Sequence, residues 1–170
     1  MSEETARTIG QVVLDWWGRN LRPPDDTGSA RALRAKLRRA DGISQVLAQR
    51  QVVELYNMWP GNRSLWTVAA VAQAIAHVER HDKLSFARAL GGGDAVALSS
   101  GRFQKLIRSK NREELVTNLR RALPKIGHAC NVATLAEDIA YWGEKTRANW
   151  CFDYFGGERP DVRHAEGESK

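Results

Sequence analysis

Apolar residues in this chain recur at three- and four-residue intervals almost from end to end, and nowhere do they alternate with polar ones. That period belongs to amphipathic α-helices, and its persistence argues against a sheet of any size. The stretch "TARTIGQVVLDWWGRNL" sets the pattern with Ile9, Val12, Val13, Trp16 and Trp17. Pro23 and Pro24 end that helix, and "PPDDTGS" is a turn-rich connector. Thr27 or Ser29 caps a helix over 30–40, and after Gly42 "SQVLAQRQVVELYNMW" carries the period to Trp59. Asn62 or Ser64 opens the alanine-rich "SLWTVAAVAQAIAHVERH". A short helix near 84–90 runs into Gly91, Gly92 and Gly93, read as a flexible linker. Ser99 or Ser100 opens "GRFQKLIRS", and Asn111, three residues before Glu114, opens "LVTNLRRAL". Asn131 starts a long helix through "VATLAEDIAYWGEKTRANWCFDYF". The expected fold is all-α, a compact multi-helix bundle forming one domain or two packed helical subdomains. It covers residues 1–157 and is followed by a disordered tail over 158–170. With 170 residues, 42% of them hydrophobic, the chain can fill such a core.

Charge narrows the function. The net charge is +6, and the acids concentrate at the two ends. Without Glu3 and Glu4, and without the one net negative charge of residues 157–170, the body stands at +9. Arginine outnumbers lysine 19 to 7, which favours planar, two-pronged contacts to phosphate. Half of "RALRAKLRRA" (31–40) is basic. At about 100° per residue, Arg31, Arg34 and Arg38 project within about 60° of one another, with Leu33, Leu37 and Ala40 roughly opposite. Arg102, Lys105 and Arg108 sweep one side of the helix at 102–108, away from Phe103, Leu106 and Ile107. Arg121 and Lys125 point away from Leu115, Leu119 and Leu123. These rows hold few acids, repel one another, and so imply a polyanion partner. Six phosphates engaged on a single strand predict a log–log salt slope of about −4. Reversing Arg34 and Arg38 to Glu leaves Leu33 and Leu37 in place, so folding is expected to survive while binding falls.

Residues fit for chemistry are few. His77 and His81 stand four apart, a zinc-compatible spacing, but no third ligand and no HExxH accompany them. His128 and Cys130 are equally unsupported. "GGGDAVALSSGR" lacks the GK[ST] ending of a phosphate loop. Glu137 and Asp138 are adjacent and splay around their helix, and Ser99 and Ser100 have no base partner. No enzyme, metal or cofactor is expected. The tryptophans at 16, 17, 142 and 150 lie on apolar stripes and read as core, whereas Trp59 and Trp66 flank a loop. Cys130 and Cys151, without a CxxC, read as small reduced side chains. No apolar run reaches membrane-spanning length, and "MSEETARTIG" holds no signal core, so a cytoplasmic protein with no membrane partner is expected.

Four stretches together carry a resemblance: "WW" at 16–17, "RAKLRRA" at 34–40, "RFQKLI" at 102–107, and the run from "NVATLAEDIAYWGE" to "WCFDYFG". Over roughly residues 10–157 the chain resembles the CasB family, the small subunit of the type I-E CRISPR Cascade complex. The resemblance implies an all-helical, non-enzymatic subunit that contacts the backbone and large subunits of Cascade. It also implies self-association into a dimer within the complex, and contact with guide RNA and target DNA in the R-loop. There it would hold the strands, the displaced one above all, by backbone contacts, because the guide supplies sequence specificity. The residues on those motifs are Arg34, Lys36, Arg38, Arg39, Arg102 and Lys105, with Lys36 at a variable place in the family pattern. Two other classes fit the charge. A helix-turn-helix regulator would read base edges, usually as a symmetric dimer. A structural adaptor would turn the same basic rows toward acidic proteins.

Overall fold

A computed structural model of the chain describes residues 6–92 and 95–160, and these are mostly helical. In chain order the helices are α1 (Ile9–Asn20), α2 (Gly28–Arg39), α3 (Ile43–Leu47), α4 (Arg50–Met58) and α5 (Leu65–Ile75). They continue with α6 (Phe86–Gly91), α7 (Ser100–Ile107), α8 (Arg112–Ala122), α9 (Val132–Ala140) and α10 (Glu144–Tyr154). A 3₁₀ turn over Leu123–Ile126 extends α8. The caps follow the sequence: side chains of Thr27, Ser64, Ser99, Asn111 and Asn131 each accept a backbone N–H in the first turn.

α5 is the pillar. Its residues Thr67–Ala72, Ala74 and Ile75 are buried, and their small side chains let α2, α3, α4, α8 and α9 pack around it. α1 crosses α9 closely. A β-carbon at Gly10 would sit 2.8 Å from the Ala133 carbonyl oxygen, so glycine alone fits without displacing the neighbour. Trp16 and Trp17 fill the space behind α1, their indole N–H groups donating to the carbonyls of Gln51 (2.8 Å) and Val78 (3.3 Å). The C-terminal part is held by aromatics. Phe103 stacks on Tyr154 at 4.0 Å between centroids, and Trp150 lies against both Phe86 and Trp142. Trp150 is fully buried and donates to Asp138 (2.8 Å). Asp153, also buried, accepts from Arg88 and from Arg159, pinning the chain just after α10. Burial works to raise that carboxyl, but the arginine hydrogen bonds hold it below its usual range.

Three sequence expectations change. The run 44–59 is two helices, α3 and α4, parted at Ala48–Gln49. The run after Asn131 is also two: the chain breaks at Tyr141–Gly143, with Gly143 capping α10, and Arg112 donates to the freed end carbonyls of Ile139 (3.0 Å) and Ala140 (2.8 Å). A two-residue parallel ladder joins β1 (Arg80–His81) to β2 (Ala129–Cys130), where a helix and a helix approach had been expected. Gly127 and His128 enter it with left-handed backbone, φ 64° and 57°. Of the predicted tail only Glu158–Pro160 are described, and Arg159 there is ion-paired. Gly93 of the predicted linker lies outside the described residues.

Candidate nucleic-acid interface

The ten basic residues singled out in the sequence do not form one surface. On α2 the buried positions are Ala30, Leu33, Arg34 and Leu37, an i, i+3, i+4, i+7 series. Arg34 therefore belongs to the packed stripe and is only 8% exposed. Its Nη1 donates to the Leu21 carbonyl (2.6 Å) and to Asp26 Oδ1 (2.8 Å), and its Nη2 to Asp26 Oδ2 (3.2 Å). Arg31 adds a second cation on Asp26. Hydrogen bonds from Arg34 hold the Asp26 carboxyl below its ordinary range. Arg38 is half-buried, its Nε donating to the Ala76 carbonyl (2.8 Å). These contacts reverse the expectation that Arg34→Glu would leave folding intact: the new carboxylate would face Asp26 and a carbonyl. Lys36 and Arg39 are exposed on the remaining arc, without ion partners among the described residues.

The second basic region is built differently. Arg102 and Lys105 from α7, Arg121 from α8 and Lys125 from the 3₁₀ turn line one cavity of about 230 Å³. Leu98, Leu106 and Ala122 give it an apolar floor. Helix geometry places the cations. Phe103 and Leu106 anchor α7, and Leu115, Val116 and Leu119 anchor α8, so the bases between them turn outward. All four are exposed, and among the described residues none has a carboxylate within ion-pair distance. Glu113 and Glu114 stand at the opposite end of α8, about 10–12 Å along its axis from Arg121. Four like charges around a partly apolar hollow focus positive potential there. Arg108 is not among them, since it opens onto a separate cavity with Ile107, Arg147 and Cys151.

Other residues weighed for chemistry have structural duties. The His81 imidazole accepts from the Val132 N–H (3.1 Å), and that of His128 hydrogen-bonds the His77 carbonyl (3.0 Å). His77 is pushed down to about 4 by burial and by the charges of Arg38 and Arg120. Glu137 accepts from the Gly10 N–H, while Asp138, raised to about 6 by burial, receives Trp150. Cys130 is buried, its thiol pushed up to about 12, and Cys151 is half-buried. Among the described residues no three His, Cys, Asp or Glu side chains gather as a metal set, and no helix is long and apolar enough to cross a membrane. Trp16, Trp17, Trp59 and Trp150 are buried and Trp142 is half-buried, as core tryptophans should be. Trp66 is 61% exposed. The sequence reading left it open and passed over Arg120, whose neighbourhood is described below.

Fold and site thus define an all-α protein with a cationic hollow that no carboxylate of the described residues neutralises. Residues 33–155 match the family model described as CRISPR-associated protein Cse2, and the chain belongs to that family. It is the CasB family, the small subunit of type I-E Cascade, whose members are structural components of that CRISPR complex. The match begins within α2, so α1 with its paired tryptophans lies outside it. No curated protein and no solved structure matched.

Proposed function

We propose that the α7–α8 hollow grips the phosphate backbone of a nucleic-acid strand and thereby stabilises the R-loop formed by Cascade. The observation that carries this reading is the convergence of Arg102, Lys105, Arg121 and Lys125 on one cavity, with no carboxylate of the described residues within ion-pair distance. Such a site reads charge and not base edges, which suits a subunit of a complex whose guide RNA does the sequence reading. The ligands in this role are the displaced non-target strand and the guide–target duplex. Backbone and large subunits of Cascade, and a second copy of this chain, meet other surfaces. The exposed Val96 and Phe155, beside Gly91 and Gly156, offer an apolar one.

Four phosphate contacts to a single strand give a log–log salt slope of about −3, at roughly 0.7 per contact. That is shallower than the roughly −4 of six contacts spread over all the basic rows, since the hollow gathers only four of those cations. Single-strand binding across a salt series, with wild type and Lys105→Glu/Arg121→Glu, tests the reading. The double variant should melt like wild type, bind far more weakly, and lose about half the slope. Equal affinity and slope in the two proteins would refute it. A strong preference for one duplex sequence would favour the helix-turn-helix alternative, and binding only to acidic proteins would favour the adaptor.

A further inference from the structure

α8 is a ridge between two depressions. Asn118, Arg121 and Ala122 turn toward the cationic hollow, while Val116, Thr117 and Arg120 turn toward a larger groove of about 740 Å³ on the other side. Arg120 and Arg121 therefore straddle the crest. The groove's far wall carries Arg38 and its rim Trp66, which stands in the first turn of α5. At 61% exposure Trp66 is the most exposed tryptophan among the described residues, standing with exposed Leu65 at the start of a helix that is mostly buried from Thr67 on. Arg38 is held in that wall by its Nε hydrogen bond to the Ala76 carbonyl, with its Nη2 buried 3.9 Å from a Glu79 carboxylate oxygen. Arg38, Arg120 and His77 all line this one groove.

The groove differs from the hollow in one respect that decides its ligand. Asp41 and Glu113 also line it, so it is not a bare trap for anions. An open indole face flanked by both signs of charge suits an uncharged, planar group with its own donors and acceptors. A nucleobase has that chemistry, and every base has a π-face to stack. A helix is about 10 Å across, a span that a few nucleotides of extended strand cover. Resting on the reading of the α7–α8 hollow as a backbone grip, we infer that the same strand crosses the crest of α8 and lays one unstacked base on Trp66, with Arg120 on an adjacent phosphate. The protein thereby favours a single strand over a duplex, whose bases are already stacked.

The test uses the full chain, a short oligodeoxynucleotide, and the same strand with its central bases replaced by abasic sites. Trp66→Ala should weaken binding to the intact strand about tenfold and leave the abasic strand unaffected. The salt slope should not change, because no charge is removed. Trp66→Phe should retain most of the affinity, and Arg120→Glu should lower the slope by about 0.7. If Trp66→Ala binds the intact strand like wild type, or loses the abasic strand equally, the inference is overturned while the backbone grip stands. Unchanged strand binding together with lost assembly into Cascade would assign Trp66 to a protein contact and overturn it too. Failure of the wild-type protein to bind either strand would remove both readings.

Discussion

α2 and the α7–α8 pair carry the same kind of sequence, arginines and lysines at helical spacing opposite leucines, yet the folded protein uses them in opposite ways. On α2 the charge turns inward. Asp26, one residue before the Thr27 cap, collects Arg34 and Arg31, and the Ala76 carbonyl takes Arg38. Around the α7–α8 hollow no carboxylate of the described residues comes within ion-pair distance, Glu113 and Glu114 lying at the far end of α8, and the cations stay open around a shared cavity. The difference teaches that the number of bases on a helix says little about its partner. What matters is whether the chain supplies an acceptor nearby.

The contrast can be broken most forcefully at Arg34. Arg34→Glu should cost about 3 kcal/mol in urea unfolding, since it puts a carboxylate at a buried position facing the Leu21 carbonyl and Asp26. A variant with wild-type stability and lost strand binding would erase the distinction between the two regions. His77, beside Arg38, gives a pH signature of nearly the same size. Its folded-state pKa of about 4 lies below the ordinary 6.5, so the native protein prefers it neutral. Stability is then full above about pH 6.5 and is lost as pH falls toward 4, by up to about 3 kcal/mol. His77→Gln should remove that part of the acid dependence. On the open side, Arg121→Glu should leave melting unchanged but weaken single-strand binding about tenfold and lower the salt slope by roughly 0.7. The same reversal at Arg108, on a different cavity, should do much less. Smallest of all, Lys36→Ala/Arg39→Ala should shift stability by no more than about 0.5 kcal/mol, a value typical of exposed side chains.

Much of this was legible in the residues, and the failures have definite causes. Helix faces and most caps follow from apolar spacing and from Thr, Ser and Asn at the right places. Arg34 was readable as well: with Ala30, Leu33 and Leu37 it completes a core series, and the excess of arginine around it masked the position. The break between α9 and α10 had one sign in the sequence, Gly143, but Leu135, Ile139, Trp142, Thr146 and Trp150 keep one helical stripe across it and mask that sign, while the Arg112 hydrogen bonds to the end of α9 come from far away in sequence. A ladder of two residues is too short to show alternation. Lys125 could be placed on a basic face from spacing, but its meeting with Arg102 depends on how α7 packs against α8. Arg108 shows the converse, sharing a helical face with Lys105 yet opening onto another cavity.

That short ladder ties off a long segment of the chain. The N–H groups of Glu79 and Arg80 donate to the His128 carbonyl, that of Asp82 to Cys130 and that of Asn131 to Leu84. Everything between, including every residue of the cationic hollow, is one excursion of the chain closed by a clasp. Loop-closure entropy grows only with the logarithm of length, each doubling adding about 0.6 kcal/mol, so closing this long excursion costs little more than closing a short one. Inside it the segment is anchored at two further places, α8 against α5 and Phe103 against Tyr154, while α1 and α9 meet separately at the Gly10 crossing.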